Sequence, residues 1–129
     1  MVRPNNYRYA KTHEWVRLEG DVATIGITDF AAQQLGDLTY LELPAVGENF
    51  AAGDSFGVIE SVKTASDLYA PVGGQVVESH EEISVKFSLI SDSPFTDGWL
   101  VRLRVISKSE FEQLMDLAAY EKFLASEGH

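Results

Sequence analysis

Along most of the chain, apolar and polar positions alternate with a period of two, the spacing of half-buried strands. Residues 7–18 and 21–28 flank Glu19-Gly20-Asp21, a turn signal. They predict a first hairpin in which Trp15, Val16, Leu18, Val22, Ile25 and Ile27 supply buried surface. TDFAAQQLG then switches to helical signals: Thr28 or Asp29 caps the start, Phe30 and Leu35 face the core, and Gly36 ends it. TYLELP returns to alternation and stops at Pro44 and Gly47. Short extended segments run on to about Glu78, broken by Gly53, Pro71 and Gly73-Gly74, with QVVES as a further strand. ISVKFSLI, residues 83–90, alternates as a strand would but lies between polar loops. GWLVRLRV places Trp99, Val101, Leu103 and Val105 on one face.

The period changes in 109–125. Phe111, Leu114, Met115, Ala118, Ala119 and Phe123 recur at helical spacing, and Ser109 with Glu112 forms a capping box. Many short strands followed by a terminal helix predict a mostly β barrel or sandwich of short antiparallel strands. It carries one short internal helix and one C-terminal helix, in a single domain over 1–129.

One segment does not fit the common hairpin chemistry. In 56–71, Phe56, Val58, Glu60 and Val62 fall on one face and Gly57, Ile59, Ser61 and Lys63 on the other. After the turn, Ala65, Asp67 and Tyr69 alternate with Ser66, Leu68 and Ala70. The turn itself is Ser-Val-Lys-Thr, without the Gly, Asn or Pro of the usual two-residue hairpin. An ordinary tight turn that exposes a surface lysine accounts for this; so does a turn built to present Lys63.

Charge narrows the partners. The 129 residues carry 20 acids and 10 bases, a formal net charge of −10. Such a surface repels nucleic acid and anionic membranes; it either favours protein partners with basic patches or serves only to keep the chain in solution. No apolar run approaches the roughly 20 residues of a membrane span. The chain has no cysteine, which excludes disulfides, zinc–thiolate sites and a cysteine nucleophile. The first residues lack the apolar core of a secretory signal. A cytoplasmic protein is expected, or a mitochondrial-matrix one if a eukaryotic precursor has been processed.

Catalytic constellations are absent from the sequence. Glu60 and Asp67 bracket Lys63, but a carboxylate pair beside a turn stays hydrated and is poorly suited to acid–base work. His13, His80 and His129 are far apart, and His13-Glu14 would point to opposite faces of a strand rather than converge on a metal. No nucleophile elbow, Walker loop or dinucleotide fingerprint appears. Lys63 has acidic neighbours that favour its ammonium form, so unaided it is a poor nucleophile. It remains a good handle: an enzyme that brings an activated acyl group could attach it there as an amide.

ESVKTASDLYAPVGGQVVE resembles the lipoyl-attachment region of the H proteins of the glycine cleavage system. KTHEWVRLEGDVATIGITDFAAQQLGDLTYLELPAVGE resembles that family's N-terminal half and SPFTDGWLVRLRV its late strand, so the resemblance covers nearly the whole chain. Met-Lys-Met, expected of a biotin carrier, and Asp-Lys-Ala, typical of 2-oxo acid dehydrogenase lipoyl domains, are absent.

The resemblance implies a flattened barrel-sandwich hybrid of the lipoyl/biotinyl kind and a non-catalytic, monomeric carrier. Lipoate would be joined by an amide to Lys63, within a recognition context of Glu60, Ser61, Val62 and Asp67. It implies that the aminomethyl group of glycine passes from a pyridoxal-phosphate glycine decarboxylase to an aminomethyltransferase. Dihydrolipoamide dehydrogenase would reoxidise the dithiol, and a lipoate ligase or lipoyl/octanoyl transferase would attach the arm. Thr12, Glu14 and Asp67 match the positions of a cleft that shelters the loaded arm. A lipoyl relay that donates lipoate to other complexes uses the same lysine and stands as the alternative. The chain departs from the family pattern at Ser79-His80-Glu81, at Val85-Lys86-Phe87-Ser88 in place of a proline-bearing loop, at Ser91 where Asn is frequent, and at Phe95 where Tyr is common.

Overall fold

Trp15 and Val16 are both fully buried, although neighbours on a strand point to opposite faces. The cause is a sheet covered on both sides. Val16 belongs to the main core with Ile25, Ile59, Leu68 and Leu103. Trp15 belongs to an aromatic cluster with Tyr7, Tyr9, Phe95 and Tyr120.

The computed structural model describes residues 2–127. In chain order the elements are β1 (Arg8–Tyr9), β2 (Glu14–Glu19), β3 (Val22–Ile27), α1 (Asp29–Leu35), β4 (Leu38–Glu42), β5 (Asn49–Phe50), β6 (Ser55–Ser61), β7 (Ala65–Tyr69), β8 (Gly74–Ser79), a 3-10 helix (Glu81–Val85), α2 (Ser88–Asp92), β9 (Val101–Val105), α3 (Ser109–Glu112) and α4 (Leu117–Glu127). Two antiparallel sheets share the main core. One has the order β1-β2-β3-β9-β8-β5, the other β4-β6-β7. This is the mostly β architecture expected, with a short internal helix and a C-terminal helix. No helix among the described residues is long and apolar enough to cross a membrane.

The first hairpin forms as predicted, with Glu14 opposite Ile27 and Glu19 opposite Val22, and Gly20 at φ 64° in the turn. Leu18 and Val22 are only half-buried, because they lie beside the turn at the hairpin's tip. Thr28 caps α1 by accepting the Ala31 N–H at 3.3 Å, and Gly36 ends it at φ 75°. Leu35 is buried, but Phe30 is not a core residue: it is half-buried and packs 4.7 Å from the His13 ring.

Three further expectations are corrected. The two faces assigned to 56–63 do not hold, since Phe56 and Ile59 are both buried. Pairing passes from Ser55–Tyr69 to Gly57–Leu68, so Phe56 is the extra residue of a bulge, and a bulge reverses the phase of the alternation. Residues 83–90 are helical rather than a strand. Only Ile83 and Ile90 of this stretch are buried, one in the 3-10 helix and one in α2, with Lys86 and Phe87 joining the two.

The third correction is the C-terminal helix, which is two helices. Met115 exchanges backbone hydrogen bonds with Tyr9 at 2.8 and 3.0 Å, which breaks the helical ladder. Asp116 restarts it by accepting the Ala119 N–H at 2.9 Å. The Ser109–Glu112 capping box does not form; the Ser109 hydroxyl instead meets that of Ser107 at 2.7 Å.

Gly26 lies opposite Trp15 across the hairpin, where a Cβ would stand 2.5 Å from the indole Cζ2. The indole cannot easily move, because its N–H donates to the Pro94 carbonyl at 2.8 Å. Gly26→Ala is therefore expected to destabilise the chain by about 1–3 kcal/mol through overpacking, read as a lower denaturation midpoint. An unchanged midpoint would show that the aromatic cluster is loosely packed.

Candidate functional site

The turn after β6 needs no glycine because a serine side chain does the bending. The Ser61 hydroxyl accepts the backbone N–H groups of Lys63 and Thr64, each at 3.2 Å, and the Ser61 N–H donates to the Thr64 carbonyl at 2.8 Å. The Val62 N–H donates to the Asp37 carbonyl at 3.0 Å, tying the tip to the segment after α1. Lys63 is exposed, as the sequence predicts, and Val62 beside it is 69% exposed. The lysine side chain lies back over Gly36: a Cβ there would stand 3.1 Å from Lys63 Cε.

A cleft of about 520 Å³ opens next to this turn. Ile27, Leu35, Ile59 and Leu68 give it apolar walls, while Thr12 and Asp67 bring polar groups to it. Glu14 is not in its lining but stands behind Thr12, buried at 2% exposure. One Glu14 oxygen accepts the Thr12 hydroxyl and the other accepts the Tyr69 N–H at 3.1 Å. Burial pushes the Glu14 carboxyl up to about 7, against the opposing pull of these donors. Glu14 is thus a buried group that titrates near neutrality rather than a solvated strand carboxylate.

His13 faces the opposite way from Glu14, so the two do not converge. Its backbone is left-handed at φ 74°, held by the His13 N–H donating to Ala10 and the His13 carbonyl accepting from Thr28, both at 2.9 Å. Its ring meets the Tyr120 hydroxyl at 2.8 Å and Glu127 at 3.3 Å, and burial lowers its basicity. A neutral ring satisfies both contacts when Nε2–H donates to Glu127 and Nδ1 accepts from Tyr120. His13 and Glu127 so bring α4 to the cleft rim.

Of the residues expected from the sequence, Lys63, Ser61 and Val62 form the turn, Thr12 and Asp67 reach the cleft, and Glu14 reaches it through Thr12. Glu60 is half-buried one residue before Ser61. Among the described residues, neither Glu60 nor Asp67 lies within ion-pair distance of Lys63. His129 lies outside the described residues. The sequence did not announce Phe30, Gly36 or His13 as parts of the site. Gly36 carried a signal, but only as a helix terminator, and its second constraint comes from a lysine 27 positions away.

Residues 7–127 match the family model described as Glycine cleavage H-protein. The chain is 46% identical over 127 residues to the glycine cleavage system H protein of Carboxydothermus hydrogenoformans, covering 98% of both. It is 52% identical over 119 residues to that of Phenylobacterium zucineum, covering 92% of this chain and 98% of the relative. The crystal structure of a glycine cleavage system H protein from Mycobacterium marinum superposes with a TM-score of 0.85 at 33% identity, covering 98% of this chain and 100% of that one.

The Glu14 carboxyl makes a testable contribution to stability. Between its ordinary value of 4.5 and about 7 the folded chain holds a proton that the unfolded chain has released, so stability falls as pH rises through this window. The loss amounts to about 3 kcal/mol above pH 7, at 1.36 kcal/mol per pH unit. Glu14→Gln is expected to gain stability relative to the parent as pH rises from 4 to 8, measured by urea unfolding. Parallel pH profiles would place the carboxylate in contact with water.

Proposed function

The chain belongs to the glycine cleavage H-protein family, and from that premise we propose that it is a lipoyl carrier with lipoate joined by an amide to Lys63 Nζ. The residues present fit such a group. An exposed primary amine sits on a pinned turn, and beside it lies a cleft with apolar walls for an acyl chain and polar groups for a charged end. Bound there, lipoate would supply a sulfur pair on a tether, able to take an aminomethyl group at a pyridoxal-phosphate glycine decarboxylase, yield it to an aminomethyltransferase and be reoxidised by dihydrolipoamide dehydrogenase.

The protein's own residues present, orient and shelter; they break no bonds. Ser61 and Val62 fix the root of the lysine, so every partner meets the amine in one place. Glu60, at the end of β6, serves as the acid by which a lipoate ligase or lipoyl/octanoyl transferase recognises the turn. Thr12 and Asp67 receive a protonated amine in the cleft. Glu14 answers its arrival: a nearby cation favours the carboxylate, so a carboxyl that shares its proton near pH 7 in the empty cleft releases it and leaves a compensating charge. In a partly dry cleft such a charge-assisted contact is stronger than in water.

The juxtaposition of an exposed amine on a pinned turn with a cleft that has apolar walls and polar groups carries this proposal. Intact-mass measurement of the native protein tests it. A lipoyl adduct is expected that disappears in Lys63→Arg, and an unmodified mass from cells that lipoylate other proteins would overturn it. Glu60→Gln is expected to slow adduct formation in a timed lipoylation reaction without altering the unfolding midpoint. Equal rates would remove Glu60 from recognition.

A further inference from the structure

A second cavity, about 470 Å³, lies on the other side of α1, in the groove between α1 and α2. That volume is within the roughly 300–1,000 Å³ of small-molecule sites. Ala32, Leu38 and Phe87 supply its apolar surface. Gly36 lines it too, and the Lys63 side chain already lies against Gly36. Leu35, the preceding residue, lines the first cleft. The C-terminal end of α1 is therefore a ridge with one cavity on each side, and the lysine rests on top of it.

The two cavities differ in charge. The first cleft is acidic, with Asp67 and Glu127 in its lining and Glu14 behind Thr12. The groove has one acid, Asp37, which is exposed and whose backbone carbonyl accepts from Val62. Seating an uncharged ring beside Asp67 and Glu127, both exposed, would strip water from two carboxylates, a cost that no new contact returns. A cation in the groove would likewise lack a buried partner. On the carrier reading above, we infer that the α1–α2 groove seats the neutral, oxidised dithiolane ring of a lipoyl group borne by Lys63, leaving the acidic cleft for the cationic cargo.

The occupant is set by reach and by chemistry. A group tethered to Lys63 starts at the groove's own wall, so binding there is intramolecular and loses little freedom. Phe87 offers an aromatic ring, and polarizable sulfur packs favourably against aromatic surfaces. Phe87 lies in Val85-Lys86-Phe87-Ser88, the segment that departs from the proline-bearing loop of the resemblance. The departure thus falls on a wall of the groove.

Carbon-detected NMR of the full chain, unmodified and in oxidised lipoylated form, tests the inference, with intact mass recorded on each sample. Lipoylation is expected to shift the signals of Leu38, Phe87 and Ala32. Ser91→Trp, which fills the groove from an exposed position, is expected to abolish those shifts while the lipoyl mass remains. Phe87→Ala is expected to weaken them and guards against misfolding of the first variant. Shifts confined to Ile27 and Ile59 in the acidic cleft, or an adduct that moves no signal, would overturn the groove alone. A missing adduct would overturn the carrier reading and the groove with it.

Discussion

A carboxylate remains inside a protein only where donors and a shared proton make burial tolerable, and Glu14 organises the site around that requirement. It sits at the start of β2 in the larger sheet and accepts the N–H of Tyr69 at the end of β7 in the smaller one. One side chain therefore ties the two sheets together behind Thr12 of the cleft wall. Thr12 supplies the second donor, and the left-handed backbone at His13 lets the chain turn back so that Thr12 and Glu14 meet. Electrostatics and architecture here are one arrangement.

The same economy governs the lysine. Its turn borrows a hydroxyl from Ser61 in place of a permissive glycine, and its tip is pinned to Asp37 by a single backbone bond. The main core beneath, with Ile59 and Leu68 almost fully buried, keeps β6 and β7 from shifting register. The result is a long side chain on a root held through the backbone N–H groups of Val62, Lys63 and Thr64.

Much of this was legible beforehand. Period-two alternation located the first hairpin, the arms about Lys63 and β9, because each has one or both faces against a packed layer. Capping chemistry marked α1 from Thr28 to Gly36. The misses share a cause: they depend on partners distant in sequence. The bulge at Phe56 is set by pairing with β7. The break between α3 and α4 is set by Tyr9, more than a hundred residues earlier. The helical course of 83–90 follows from which two isoleucines the core accepts. For the site, the turn's own chemistry pointed to Lys63, and the family resemblance to Glu60, Asp67, Thr12 and Glu14. The burial of Glu14 and the second duty of Gly36 are properties of the assembled fold.

The pinned turn has a kinetic corollary. A loop that must be ordered anew by each visiting enzyme would make every encounter lose entropy before any contact formed. Here Ser61 and Asp37 have already imposed that order during folding. For the carrier proposed above, successive partner enzymes would then bind weakly and depart quickly while still finding the amine in the same spot, which is what turnover among several catalysts demands of a shared courier.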